Sequence, residues 1–282
     1  MADAGAALSL PGGREVRYYD TGATAHPGRV LVWHSGTPHT GRLIAPLRTA
    51  AESAGIRLIS VARPGFGGST RLIGRSVADA ARDVLAVLDE LGVERFATVG
   101  ASGGGPHALA LAALGGERAL GVATFASVAP YRANDADWFA GMADPRALRA
   151  ATEGLSARAE YAERAEFDPR VFTEADWAAL KGEWTELGQD AEAGSAQADG
   201  GEIDDDCALV FDWGVELAAL RTHVLIVQGE QDRMIPAGHA TRLLRALPDA
   251  TSWWLAEDGH VSVLRALPNA IGWLLEHGLS TP

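Results

Sequence analysis

The sequence has one cysteine, Cys207, so a disulfide bond cannot form within the chain. Disulfide frameworks belong to oxidising compartments, and the lack of one favours a reducing cytoplasm. Basic residues are also scarce, because 24 Lys and Arg stand against 37 Asp and Glu, a formal net charge of −13. Nucleic acids and anionic membranes attract basic surfaces. We therefore expect a cytoplasmic protein that has neither nucleic acid nor a membrane as partner.

Long apolar runs are missing as well. No stretch approaches the roughly 20 apolar residues that cross a bilayer. The first residues, MADAGAALSLPGG, lack the basic start and apolar centre of a signal peptide. Hydrophobic residues nevertheless make up 47% of the 282 residues, enough to bury a substantial core. The length suits one α/β core with an insertion, and the composition leaves the oligomeric state open.

Short apolar runs alternate with helical patterns along most of the chain. The predicted strands cover 15–22, 29–34, 57–63, 95–100, 121–127, 223–230 and 251–257. The predicted helices cover 43–54, 76–92, 106–114, 237–247 and 261–275. Ser76 is the expected N-cap of its helix and Gly92 follows the end of that helix. This alternation predicts an α/β fold, a mostly parallel sheet with helices on both faces.

The interval 130–212 breaks this alternation and has a helical character. We expect a helical cap there, inserted into an α/β core made of 1–129 and 213–282. Its segment 190–206 is acidic and poor in large apolar residues, which predicts a mobile surface loop. The many cap acids are expected to form solvated helix faces. Aromatic residues in or next to the cap either line an apolar pocket or pack the cap on the core: Trp138, Phe139, Trp177, Trp184 and Trp213.

A glycine cluster, GASGGGP, separates the apolar run FATV from the helical pattern HALALAAL. Gly100, Ser102 and Gly104 fit G-x-S-x-G, the nucleophile elbow. In that motif the serine occupies a tight strand-to-helix turn, and small neighbours let strand and helix approach. The pattern makes Ser102 a candidate nucleophile.

Other glycine loops have a similar appearance. Residues 103–108 satisfy a loose G-x-G-x-x-A, but a dinucleotide site also needs an acid at the end of the next strand. VATFASVA, at 122–129, contains none, and no Gly-Lys-Ser/Thr of a phosphate loop follows the cluster. A plain glycine turn with an incidental serine is the remaining alternative.

The later part of the chain contains an acid and a histidine, the two residue types that activate a serine nucleophile. A serine hydroxyl is activated by a histidine that an acid orients. Asp232 follows the apolar run VLIVQG, and His260 follows WWLAE, so the order is serine, acid, histidine. All three would lie at carboxyl ends of parallel strands, where open α/β sheets bind ligands. Glu230 is the alternative acid. Packing, capping or surface roles suffice for the remaining histidines considered, His26, His107, His223, His239 and His277.

On these residues the chain resembles the α/β-hydrolase fold superfamily over nearly its whole length. VLVWHSGTPHTG, at 30–41, is similar to the family's His-Gly-x-Pro oxyanion loop, and ARPGFGGST, at 62–70, resembles the turn after the next strand. The resemblance implies an α/β-hydrolase fold with an inserted helical cap. It also implies an oxyanion hole formed by the backbone N–H groups of Thr37 and Gly103, with Gly36 beside the substrate.

One position departs from the family pattern. Ser35 stands where the family has the histidine that orders the oxyanion loop. His34 precedes that place by one residue and is expected to face the other side of its strand. The backbone donors need not be lost by this exchange.

The resemblance also narrows the reaction. Haloalkane dehalogenase-like and epoxide hydrolase-like members use a carboxylate nucleophile, whereas this sequence has Ser102. Hydrolysis of a small-molecule ester, thioester, lactone, amide or carbon–carbon bond remains, and we expect a carboxylic ester. The alternatives are a proline iminopeptidase-like aminopeptidase and a non-hydrolytic ligand-binding member. No cofactor or metal is expected, because Asp204–Asp206 lacks the spacing of a calcium loop and Cys207 has no partner cysteine.

Overall fold

The computed structural model describes residues 5–133, 135–197 and 200–279, with only the backbone of Ala136. Eight strands form one sheet in the order β1-β2-β4-β3-β5-β6-β7-β8. The strands are β1 Ala6–Ser9, β2 Glu15–Asp20, β3 Val30–His34, β4 Arg57–Val61, β5 Phe96–Ala101, β6 Ala119–Phe125, β7 Val224–Gly229 and β8 Ala250–Leu255. β1 and β2 run antiparallel to their neighbours, and the other pairs are parallel.

The central strands β3, β5 and β7 are buried along their whole length, which explains their continuous apolar sequences. The predicted strands are all present, each within a few residues of its expected ends. β1 is the strand that the sequence did not indicate. It is mostly exposed and only four residues long, so it lacks a core-facing apolar pattern.

The helices are α1 Ala45–Ser53, α2 Val77–Glu90, α3 Gly104–Gly115, α4 Arg146–Thr152, α5 Leu155–Ala162, α6 Glu174–Lys181, α7 Thr185–Ala196, α8 Gly201–Val210, α9 Gly238–Ala246 and α10 Leu267–Leu274. The predicted N-cap is confirmed, because the Ser76 hydroxyl accepts from the Asp79 N–H and the Asp79 carboxylate accepts from the Ser76 N–H. The final predicted helix starts as a 3-10 helix, Ser262–Ala266, before α10.

Helices cover both faces of the sheet. In β3, Val30 and Val32 join a core cluster with α2, α3 and α9, whereas Leu31 and Trp33 join a second cluster with α1 and α10. The alternation follows from the two-residue period of a strand. The mostly parallel α/β-hydrolase fold expected from the sequence is therefore the observed one. Among the described residues, no helix combines the length and the apolarity needed to cross a membrane.

Between β6 and β7 the chain forms α4 to α8, which we call the cap helices. The expectation of a mobile loop at 190–206 is wrong, because α7 and α8 occupy most of that segment. The expectation that cap acids are solvated is also wrong for a buried group of them: Asp176, Asp190, Asp204, Asp205 and Asp206. Burial of these carboxylates is tolerated because each has a hydrogen-bond or ion-pair partner. The domain limits 130 and 212 stay predictions.

Candidate active site

Ser102 follows β5 directly and has a φ of 55°, in the left-handed region that non-glycine residues avoid. Its N–H donates to the carbonyl of Phe125 at 2.8 Å, and its own carbonyl accepts from Gly105 at 3.1 Å. These bonds hold the turn between β5 and α3 in its strained form. The geometry is the one that the elbow motif demands.

The glycines around Ser102 are required by close backbone contacts. A Cβ on Gly100 would overlap the carbonyl oxygen of Gly104, and one on Gly104 would overlap the carbonyl oxygen of His34. The interpretation of both as clearance for the turn is confirmed. A Cβ on Gly105 would overlap the side chain of Ser127, two residues after β6, a contact that the sequence did not reveal.

His260 and Asp232 form a hydrogen-bonded pair, with 2.8 Å between Nδ1 and Oδ2. The other carboxylate oxygen, Oδ1, accepts from the N–H groups of Met234 and Ile235, each at 2.8 Å. An ionised carboxylate only accepts, so Nδ1 carries the proton and neutral Nε2 is free to take another. Both residues are buried, with exposures of 9% and 5%.

The pKa of His260 lies above its ordinary value. Burial lowers this pKa, but the charge and hydrogen bond of Asp232 outweigh burial. The alternative acid, Glu230, is exposed at the end of β7. Its N–H donates to the Leu255 carbonyl at 3.0 Å, which joins the start of the loop after β7 to the end of β8. Asp232, and not Glu230, is thus the carboxylate paired with His260.

Asp176 of α6 contacts the backbone just after His260. Its Oδ1 accepts from the N–H groups of Val261 at 2.8 Å and Ser262 at 2.9 Å, and from the Ser262 hydroxyl at 3.0 Å. Its Oδ2 accepts from Thr173 at the N-cap of α6. Burial raises the pKa of Asp176, but these donors outweigh burial and lower it. A cap carboxylate therefore fixes the loop that carries His260.

The loop after β3 brings Gly36 and Thr37 next to the elbow. A Cβ on Gly36 would lie 3.2 Å from the Ser102 Cβ, and one on Gly103 would lie 2.9 Å from the Thr37 Oγ1. Within residues 5–133, 135–197 and 200–279, the N–H groups of Thr37 and Gly103 have no hydrogen-bond partner. Two adjacent free backbone donors beside a serine are what an oxyanion hole requires.

Arg63 orders this loop in the absence of the family's histidine. Its Nη1 donates to the Ser35 carbonyl at 2.6 Å and its Nη2 to the Gly36 carbonyl at 2.8 Å. Arg63 belongs to the ARPGFGGST turn, which was the available sequence signal. His34 is buried, and burial is the largest cause of a pKa far below its usual value.

His39, which the sequence analysis did not single out, supports the far side of the same loop. Its Nδ1 lies 3.1 Å from Oδ2 of Asp190 in α7, and the Thr40 N–H donates to the same oxygen at 3.1 Å. The Thr40 hydroxyl donates to Asp190 Oδ1. The position of His39 directly after Thr37-Pro38 was the signal that could have found it.

Comparison with known proteins agrees with this geometry. Residues 29–266 match the family described as alpha/beta hydrolase fold. The chain belongs to this family.

One curated relative of the chain is the dihydrolipoyllysine-residue acetyltransferase component of the acetoin cleaving system of Cupriavidus necator. The two are 32% identical over 213 residues, which are 73% of this chain and 52% of the relative. The chain thus spans about half the length of this relative.

Among solved structures, a bromoperoxidase from Bacillus anthracis is similar with a TM-score of 0.76 and 21% identity, over 96% of this chain and 99% of the other. A thermophilic esterase from Thermogutta terrifontis is similar with a TM-score of 0.70 and 19% identity, over 97% and 99%. At these identities the likeness establishes the fold.

The five aromatic residues named from the sequence do not form one wall in the structure. Trp138 and Phe139 pack edge to face at 4.8 Å, and the Trp138 Nε1 donates to the Ala129 carbonyl at 2.9 Å. Both belong to an apolar cluster that also contains Leu209 and Ile235. A Cβ on Gly103 would lie 3.5 Å from Leu209 Cδ1, so this cluster reaches the backbone of Gly103.

The other three lie elsewhere. Trp184 packs in the core cluster of α1 and α10, and Trp213 in that of α2, α3 and α9. Trp177 packs edge to face with Phe172 at 5.2 Å in the cap. Substrate contact stays a prediction for all five, and position favours Trp138 and Phe139.

Cys207 is a buried, free cysteine. Burial, reinforced by neighbouring Asp206, raises the pKa of its thiol to about 11, so the thiol is uncharged at neutral pH. In the part of the chain that the structure describes, no group of three or more His, Cys, Asp or Glu is arranged to hold a metal ion.

Proposed function

We propose that the protein is a serine hydrolase that cleaves a small carboxylic ester, or a related acyl bond, through an acyl-enzyme. The observation that carries the proposal is the 2.8 Å pair between His260 and Asp232 on the loops after β8 and β7. Ser102 occupies the elbow after β5 at the same edge of the sheet.

Acylation begins when His260 Nε2 takes the Ser102 proton and Oγ attacks the acyl carbon. Asp232 holds the imidazole through Nδ1 and stabilises its protonated form. The N–H groups of Thr37 and Gly103 donate to the oxyanion of the tetrahedral intermediate, and each such donor contributes roughly 2.7–4 kcal/mol. Protonated His260 then gives its proton to the departing alcohol.

Deacylation repeats these steps with water. His260 removes a proton from water, the hydroxide attacks the acyl carbon, and Ser102 recovers its proton as the carboxylic acid leaves. The apolar side chain of Leu209 lies beside Gly103, which favours an acyl group that is itself apolar.

The iminopeptidase alternative needs cap carboxylates that are free to bind a substrate ammonium. The buried cap carboxylates are instead engaged by the protein itself. Asp204 pairs with Arg71, Asp206 with Arg158, and Asp190 with His39 and Thr40. This engagement counts against the alternative and supports ester cleavage.

Hydrolysis of p-nitrophenyl acetate and butyrate by wild type and Ser102→Ala tests the proposal. We expect the rate to fall by at least about 10³-fold in Ser102→Ala. Intact-mass measurement after a slow ester should show the acyl group on the wild type. Equal rates in the two proteins would overturn the proposal.

Two further assays separate the alternatives. Release of β-naphthylamine from Pro-β-naphthylamide without ester turnover would establish the aminopeptidase. Labelling of Ser102 by a fluorophosphonate without turnover on ester, amide or lactone panels would favour the non-hydrolytic class.

A further inference from the structure

Behind the oxyanion loop lies a buried ionic cluster of Arg63, Arg75 and Asp205. Arg63 Nη2 donates to Asp205 Oδ2 at 2.6 Å, and Arg75 Nη2 donates to Oδ1 of the same carboxylate. The two arginines follow β4 in the core, whereas Asp205 belongs to α8 in the cap. The cluster is thus completed by a residue from the cap helices.

The cluster contacts the first oxyanion residue directly. The Thr37 hydroxyl donates to Asp205 Oδ2 at 2.6 Å and accepts from Arg63 Nη2 at 3.2 Å. Arg63 also binds the carbonyls of Ser35 and Gly36. The side chain of Thr37 and the two peptide groups before it are therefore held by this cluster, which fixes the direction of the Thr37 N–H.

The second oxyanion residue is reached through His107. The Nδ1 of His107 donates to the Gly103 carbonyl at 2.9 Å, and its Nε2 lies 3.5 Å from Arg75 Nη1. Burial, followed by the charge of Arg63, lowers the pKa of His107 to about 3. The imidazole is neutral at working pH, so its Nε2 can accept from Arg75.

Asp205 stays ionised in this setting. It is fully buried, and Arg63 and Arg75 are 5% and 4% exposed. Burial raises the pKa of Asp205, but the two guanidinium charges outweigh burial and hold the pKa far below its usual range. Removing this carboxylate would leave two buried cations without their shared partner.

We propose that Asp205 is a positioning residue for the oxyanion hole, one that sets the Thr37 N–H through Thr37 and Arg63 and supports Gly103 through Arg75 and His107. The inference rests on the proposed function. Asp205 touches neither the substrate nor Ser102 in this role. It acts on the geometry of the donors, and a misplacement of about 1 Å costs an enzyme about 10²-fold in rate.

The neighbouring Asp204 provides a matched control. It is in the same helix, is 1% exposed and pairs with Arg71 of the core at 2.6 Å. Its pair joins cap to core as Asp205 does, but away from Thr37. The test set is Asp205→Asn, Asp204→Asn, Thr37→Val and the double variant Thr37→Val with Asp205→Asn. Thr37→Val keeps the backbone N–H and the side-chain shape but removes the hydroxyl.

The readout is the second-order rate of labelling by a fluorophosphonate. Ser102 Oγ forms a bond to phosphorus, fluoride leaves, and His260 takes the serine proton, so negative charge develops on the phosphoryl oxygen at the oxyanion hole. We expect labelling to slow roughly 10- to 100-fold in Asp205→Asn and in Thr37→Val. Asp204→Asn should stay within about 3-fold of wild type. In ester assays the loss should lie in kcat, with KM nearly unchanged.

The double variant tests the connection itself. Because Asp205 acts in part through the Thr37 hydroxyl, the labelling loss of the double variant should be smaller than the product of the two single losses. A loss in Thr37→Ser smaller than in Thr37→Val would support the hydroxyl contact.

Equal labelling of Asp205→Asn and Asp204→Asn, or a double variant whose loss equals the full product of the two single losses, would overturn this inference and leave the proposed function intact. A wild type that is not labelled, or is labelled equally in Ser102→Ala, would overturn both. If Asp205→Asn does not fold, Thr37→Val decides, and a wild-type labelling rate in that variant would overturn the inference.

Discussion

Asp176 Oδ1 accepts a 2.8 Å hydrogen bond from the N–H of Val261, the residue directly after His260. The bond joins residues 85 positions apart, one in the cap helices and one in the core. The same oxygen also accepts from Ser262. Because a loop that carries the proposed base must hold it in one place, this carboxylate gives the cap a direct part in the candidate site.

We expect Asp176→Ala to destabilise the protein by roughly 2–4 kcal/mol, because buried N–H groups lose their acceptor and α6 loses its capping partner. The acid limb of the kcat/KM–pH profile should also move to lower pH, since the charge of Asp176 helps to raise the His260 pKa. Urea unfolding and the pH–rate profile measure the two effects. Glu174→Ala, an exposed change in the same helical turn, is the control and should cost less than about 1 kcal/mol. A profile that does not move would contradict the role of Asp176.

The pH dependence of wild type follows from the direction of the His260 shift. The base must be neutral, so kcat/KM should rise with pH through an apparent pKa above the ordinary histidine value of about 6.5. In Asp232→Asn, burial still lowers the His260 pKa but the charge of Asp232 no longer raises it. The acid limb should therefore move below that value. The rate should fall by about 10²–10⁴-fold.

Asp258→Asn is the matched control for that change. Asp258 is buried and near His260 in sequence, but its carboxylate pairs with Arg265 at 2.6 Å. The acid limb of the kcat/KM–pH profile of Asp258→Asn should coincide with that of wild type. An unchanged limb in Asp232→Asn would refute the assignment of Asp232.

Replacing glycine by alanine should have opposite effects at the first residues of α3 and α9. Gly104→Ala places a methyl group against the His34 carbonyl, so we expect a loss of stability of about 1–3 kcal/mol or more, together with loss of activity. Gly238→Ala, at the first residue of α9, has open space and should be neutral or stabilising by up to about 1 kcal/mol. Urea unfolding of both variants distinguishes these outcomes, and similar losses in both would show that the backbone contact at Gly104 is not decisive.

We expect Leu209 to limit the length of the acyl group that the site accepts. Leu209→Ala should raise the ratio of kcat/KM for p-nitrophenyl octanoate to that for butyrate by roughly 4-fold or more, because one buried methylene changes transfer free energy by about 0.8 kcal/mol. Val210→Ala, an equally buried neighbour in α8, should leave the ratio unchanged. Equal ratios in the two variants would contradict a contact between Leu209 and the acyl group.

Features with a local cause could be predicted from the sequence. The buried strands, the Ser76 cap and the turn at Ser102 each depend on residues within a few positions, so periodicity and turn chemistry were sufficient. The order Ser102, Asp232, His260 was readable for the same reason, because each residue follows its own apolar strand.

The acidic segment could not be predicted in this way. Composition alone predicts that Asp204–Asp206 are solvated, but their partners are arginines distant in the sequence. Arg71 lies 133 positions from Asp204, and Arg63 lies 142 positions from Asp205. Only the fold brings these charges together, and without the partners burial of the carboxylates would be prohibitive. The role of Arg63 was hidden for the same reason, although its motif was visible.

The three buried carboxylates Asp176, Asp190 and Asp205 bear on how this protein can be engineered. Each comes from a different cap helix; Asp190 and Asp205 bind two points of the loop after β3, and Asp176 binds the loop that carries His260. A chimera that takes the cap of another relative would therefore have to supply acceptors at all three points. Substrate range in this scaffold is better altered by point changes within its own cap than by transplanting a foreign one.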